Sequence, residues 1–159
     1  MKKLSPLKQF VCDTCGEIIK SPEEGWLEWI YDSKTKKAHS FRLCHHVTAS
    51  PLGRPTGCYQ HSGSAGCSDM HLDAILEHRM AHLLQFIDVG DYHEPEFKGP
   101  HASNLREWAE MARRLTIPYY EQARLYWNKA IGDDHFGGAN EIKVYTEEFL
   151  KNLVGEYAE

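Results

Sequence analysis

Cys12-Asp-Thr-Cys15-Gly16 restricts this chain more than any other segment. Two thiols separated by two residues can face one ion, backbone amides of the turn point at the sulfurs, and the following glycine permits the backbone the turn requires. All five cysteines (Cys12, Cys15, Cys44, Cys58, Cys67) precede position 68, whereas the long helical patterns follow it. An odd number of cysteines behind a start without an apolar signal core argues for reduced thiols in a cytoplasmic protein, not for a disulfide framework. A redox dithiol of this spacing is expected at a strand-to-helix junction of a βαβ unit, and no such unit is legible here.

The order of elements predicts an α+β fold: a small antiparallel β module over 1–67 followed by a helical segment of about four helices over 68–159. Short strands are expected at 7–12 and 17–19 around the cysteine turn, at Trp26-Leu-Glu-Trp-Ile-Tyr31 and at Ser40-Phe-Arg-Leu-Cys-His-His46, with a polar hairpin loop at 33–37. Residues 48–67 carry Pro51, Gly53, Pro55, Gly57, Gly63 and Gly66 and read as irregular. Helical spacing runs from Ser68 to Asp88, from Ser103 to Leu115, from Pro118 to Ile131 and from Asn140 to Tyr157, separated by a linker at 90–101 and a loop at 132–138. The aromatic residues of these helices are most simply core.

The second half of a metal site lies downstream. Cys58-Tyr-Gln-His61 offers a thiolate and an imidazole at the same spacing, so Cys12, Cys15, Cys58 and His61 form a candidate ligand set, with His46 or His45 as alternatives for the fourth position. Strand alternation puts His45 and His46 on opposite faces, so only one of them can address that ion. Cys44 and Cys67 are left as buried thiols, since four donors satisfy a tetrahedral ion. Two ligand-bearing knuckles around a β-hairpin resemble a zinc ribbon or treble clef over residues 10–61, and the resemblance implies one structural zinc. Such a site would also order the glycine-rich loop.

Two further histidine patterns point toward metal-dependent hydrolysis. Leu43-Cys-His-His-Val47 resembles the first half of the HNH nuclease motif, in which one histidine is a general base and another group binds the catalytic metal; no asparagine follows in the 48–67 loop and no second Cys-x2-Cys pair is present. On the helix predicted over 69–88, His71, His78 and His82 fall on one side, and His78 and His82 are one turn apart, which makes a second metal site conceivable there. His78-Arg-Met-Ala-His82 lacks the glutamate of a zincin. Asp91-Tyr-His93-Glu94 and Asp133-Asp-His135 read as solvated loops.

Charge narrows the partners. The net charge of −5 disfavours phosphate backbones as a default ligand, and the N-terminal lysines (Lys2, Lys3, Lys8, Lys34, Lys36, Lys37) form only a local basic patch. Arg113, Arg114 and Arg124 are expected to pair with acids of the final helix. No stretch approaches a membrane span. The expectation is therefore a zinc-binding protein with a structural Cys/His site that serves as an interaction or regulatory module for a protein partner, with a metal-dependent hydrolase or HNH-like nuclease using His45/His46 or His78/His82 as the alternative.

Overall fold

A computed structural model describes residues 4–88, 90, 91, 94, 101–138 and 141–158. Most of the 90–101 linker, including Tyr92 and His93, lies outside the described residues, as do Lys2, Lys3 and Asn140. The fold is α+β, with two small antiparallel sheets followed by short helices.

The first sheet pairs β1 (Phe10–Val11) with β2 (Ile18–Ile19) across the cysteine turn. The second has the order β4-β3-β5, with β3 (Gly25–Asp32) in the centre, β4 (Lys37–His45) on one side and β5 (Cys67–His71) on the other. Branched and aromatic residues in β3 favour the pleat, and Asp32 closes the hairpin by accepting the Lys34 N–H at 2.8 Å. The register shifts between Glu28 and Ile30, opposite Ser40, whose φ is 60°.

Sequence periodicity misplaces β5. Residues 68–71 read as the start of a helix, yet they pair with β3, Leu27 opposite Met70 and Trp26 opposite His71. The backbone of β3 would otherwise lack a partner on that side, and tertiary pairing overrides a short helical pattern. Gly66 makes the approach possible: its φ is +83°, its carbonyl accepts the Tyr31 N–H at 2.8 Å, and a Cβ there would collide with the Tyr31 carbonyl oxygen. The expected 69–88 helix becomes α1 (Leu72–Glu77) and α2 (Arg79–Leu84), broken at His78 with φ −127° and ψ 48°.

α3 (Leu105–Thr116) starts one residue later than expected, because Asn104 and not Ser103 caps it through Oδ1, 3.1 Å from the Arg106 N–H. The third predicted helix is divided into α4 (Tyr120–Ala123) and α5 (Trp127–Gly132), linked by a 3-10 turn at Arg124–Tyr126. α6 (Glu147–Tyr157) is capped by Thr146, later than the Asn140 start expected, after a 3-10 turn at Lys143–Tyr145.

Two cores result. Phe10, Ile19, Leu27, Leu43, Leu72, Ile75, Leu83, Phe86, Met111 and Leu115 join the sheets to α1, α2 and α3. Tyr120, Ala123, Ala130, Leu150, Leu153, Val154 and Tyr157 gather α4, α5 and α6. Among the described residues, no helix is long and apolar enough to cross a membrane.

Candidate metal centre

The cysteine turn folds as a knuckle. Gly16, at φ +75°, donates its N–H to the Cys12 carbonyl at 3.0 Å, Cys12 N–H reaches the Glu17 carbonyl at 2.9 Å, and the Thr14 N–H lies 3.4 Å from Cys12 Sγ. The end of β4 is stitched to it: Asp13 donates its N–H to the Leu43 carbonyl at 2.8 Å, and the Leu43 N–H returns to Asp13 Oδ2 at 2.8 Å. This pairing delivers His45, two residues beyond Leu43 and on the same strand face, to the sulfurs. The loop after β4 brings the third cysteine, with Thr14 Oγ1 donating to the Cys58 carbonyl and Ser50 Oγ lying 3.1 Å from Cys58 Sγ.

The ligand atoms of Cys12, Cys15, His45 and Cys58 all lie within 4.8 Å of one another, a Cys3His group that can hold a metal ion. His45 Nδ1 is 3.5 Å from Cys15 Sγ and 3.7 Å from Cys58 Sγ. Its other nitrogen, Nε2, is 3.2 Å from the Ile18 carbonyl. A carbonyl can only accept, so the proton sits on Nε2 and the Nδ1 lone pair faces the sulfurs, the orientation a metal-ligating imidazole needs. Cys12, His45 and Cys58 are buried and Cys15 is half-buried.

Acidity within the knuckle fits an ion. Burial would raise the Cys12 thiol, but the backbone amides of Cys15, Thr14 and His45 outweigh it and bring it down to about 7. Burial pushes Cys15 up to about 12, and the neighbouring Cys12 adds to the rise. Without an ion the two sulfurs cannot share negative charge, whereas a divalent cation removes that conflict. Three thiolates and one imidazole form a soft, four-donor set of the kind zinc accepts.

In this group the fourth donor is His45, and His61 lies outside it. His61 lies on the other side of the loop, where Nε2 meets the Ser40 carbonyl at 2.8 Å and the backbone N–H meets Glu28 Oε2 at 3.3 Å. His46 turns away from the sulfurs and stacks on Trp26 at 5.2 Å. Cys44 and Cys67 stay outside the group, and burial raises both thiols. His71 leaves the predicted helix for β5, His78 sits at the helix break and His82 on α2; among the described residues they form no group of three ligands.

Charged residues supporting the knuckle escape a motif search. Arg114 is buried, and its guanidinium uses every donor: two bonds to Asp13 at 2.7 and 2.9 Å, two to Glu121 at 2.7 and 2.9 Å, and one to the Val11 carbonyl at 2.9 Å. The two carboxylates raise its already high pKa against the opposing effect of burial. Arg124 lies 3.3 Å from Glu110 and 3.4 Å from Glu121. The arginines thus pair with acids of the knuckle, α3 and α4, where pairing with the final helix was expected. Glu28, fully buried in β3, accepts the Gln60 N–H at 3.0 Å and docks the glycine-rich loop. A lone acid inside Trp26-Leu-Glu-Trp29 was the one sequence signal for it.

No family model matches the chain, and no curated protein and no solved structure matches it either.

Proposed function

We propose that this is a non-catalytic zinc-binding protein: one zinc held by Cys12, Cys15, His45 and Cys58 closes the structure, and the surface it fixes recognises a protein partner. The carrying observation is that one chain supplies all four donors from three separate segments, within 4.8 Å and largely buried. Four protein ligands leave no position for a substrate or an activated water, so the ion's contribution is to folding. His45 as the base of an HNH-like nuclease is disfavoured, because Nε2 is engaged by Ile18 and Nδ1 faces the sulfurs. The net charge of −5 favours a protein partner over nucleic acid.

Elemental mass spectrometry on protein purified without added metal, paired with a thiol count before and after chelation, tests the centre. One zinc per chain is expected, with Cys12, Cys15 and Cys58 unreactive until the chelator is added. Freely reactive Cys12 and Cys15 in metal-bearing protein would overturn the assignment. Metal-stimulated cleavage of plasmid DNA that persists in purified Cys58→Ser protein would move the function to hydrolysis.

A further inference from the structure

A cavity of about 410 Å3 lies between β4 and the N-terminal half of α3, beside the cysteine knuckle. One part of its lining is apolar: Leu27, Phe41, Leu43 and Met111. The other part is charged, and its hydrogen bonds are unevenly spent. The acceptors are taken. Asp13 Oδ1 and Oδ2 hold Arg114 Nη1 at 2.9 and 2.7 Å. Glu107 Oε1 accepts from Asn104 Nδ2 at 2.9 Å and its Oε2 from the Ser40 N–H at 2.7 Å. Glu110 Oε2 accepts the Tyr120 hydroxyl at 2.6 Å, and Oε1 lies 3.3 Å from Arg124 Nε. Several donors are not taken. Arg42 and Arg124 meet at Asp13, where Arg42 Nη2 donates to the carbonyl at 2.7 Å and Arg124 Nη2 stands 4.0 Å from Oδ1. Among the described residues, Arg42 Nη1 and Arg124 Nη2 make no hydrogen bond, and the Arg106 guanidinium, at an exposed position on the same lining, has neither a hydrogen bond nor an ion pair.

We infer that this cavity binds a monocarboxylate carrying an apolar body, a ligand role that goes beyond the interaction role proposed above. Where donors outnumber free acceptors, the missing group is an acceptor, and planar guanidinium forks suit a carboxylate. The carboxylate accepts from Arg106 and from the unspent amino groups of Arg42 and Arg124, and the apolar body covers Phe41 and Met111. The charge is single for a physical reason. Asp13, Glu107 and Glu110 share the lining, while Glu28, 3.8 Å from Arg42 Nε, and Glu121, 3.4 Å from Arg124 Nη1, offset part of the positive charge. A dianion such as phosphate would be repelled by these acids and would leave the apolar part of the lining uncovered. The volume lies within the range of small-molecule sites.

The test is a titration of the full chain, as purified, with 2-naphthylacetate and with its uncharged analogue 2-naphthylacetamide, followed by amide NMR shifts. It does not depend on which ion the Cys3His group holds, so its failure is separate from failure of the metal assignment. The acid is expected to shift the amides of 41–43 and 104–111 with a dissociation constant of about 1 mM or below. The analogue should bind at least about tenfold more weakly, the worth of one charge-assisted hydrogen bond. Arg106→Gln, at an exposed position without a partner, should keep the parent spectrum, weaken the acid about tenfold and leave the analogue unchanged. No shift at about 10 mM acid, shifts confined to other residues, or equal affinity for acid and analogue overturns the site. An Arg106→Gln protein that binds the acid as the parent does, or that loses acid and analogue equally, overturns the carboxylate assignment.

Discussion

The two cores are held in different ways. The first contains strands of only two residues, β1 and β2, and a twenty-residue loop rich in glycine and proline, which apolar burial alone orders poorly. What gathers it is the Cys3His group, which can hold a metal ion, and the Arg114 network. The second, among the described residues, has no comparable polar cluster and packs Leu150, Leu153 and Val154 of α6 against Tyr120, Ala123 and Ala130, with Trp127 and Phe136 edge to face at 5.4 Å. Helices satisfy their own backbone and need only a face to bury. Short strands and turns need partners supplied from outside, so the chain concentrates its specific chemistry in the first core.

Removing the ion should split the two regions most widely. Structural zinc contributes about 10–16 kcal/mol of binding free energy in small metal-dependent modules, and that energy is folding energy. Chelation, or Cys12→Ser, is expected to release the amides of residues 10–19 and 43–58 to rapid hydrogen exchange while those of α6 stay protected. Simultaneous loss of protection in both regions would show that the second core has no stability of its own. Next in size is Arg114→Met. It takes the Arg114 guanidinium from Asp13 and Glu121 and leaves only Arg124 near them, at 4.0 and 3.4 Å, and breaking a buried ion pair on one side costs about 3–5 kcal/mol. Because Arg114 belongs to α3 and Glu121 to α4, this substitution should lower the urea midpoint of both regions together. The companion Arg114→Met, Glu121→Leu protein should recover part of the loss, since one of the stranded charges is gone. No recovery would mean that losing the Glu121 carboxylate, which also accepts the Val11 N–H at 2.8 Å, costs as much as removing the stranded charge restores.

The parts that were legible in the sequence share a property: the signal is local. Cys12, Cys15 and Gly16 announce a knuckle because the turn needs those residue types at that spacing, and the β3–β4 hairpin is visible in its aromatic and branched residues. The choice of His45 over His61 is not local. It depends on the Asp13–Leu43 stitch, which fixes the face of β4 turned to the sulfurs, and spacing alone pairs Cys58 with its neighbour His61 instead. β5 was missed for the same reason, since a strand of five residues takes its conformation from β3 and not from its own composition. Arg114 is the extreme case. Its partners Asp13 and Glu121 lie 101 and 7 residues away, and no motif joins them.

The smallest effect discriminates most finely, because it compares one helix start from each core. Asn104 caps α3 with Oδ1 at 3.1 and 3.3 Å from the Arg106 and Glu107 N–H groups, and Glu107 in turn accepts the Ser40 N–H at 2.7 Å. Thr146 caps α6 through a single long contact, Oγ1 to the Phe149 N–H at 3.4 Å, and its hydroxyl donates to the Lys143 carbonyl at 2.8 Å. Replacing either residue by alanine costs about 1 kcal/mol in general. The long contact places Thr146→Ala near the lower end, about 0.5 kcal/mol, and Glu147 and Glu148 in the first turn still favour the helix dipole. Where the cost is felt should differ between the two. α3 is tied to β4 by the Glu107–Ser40 bond and shares its core with the metal centre, so Asn104→Ala should leave local exchange near 105–108 almost unchanged in zinc-loaded protein. Among the described residues no side chain of the first sheet bonds to the start of α6, so Thr146→Ala should speed exchange of the amides at 149–151 without altering those of β4. Equal local fraying at both helix starts would mean that the cross-links of the first core do not extend to α3.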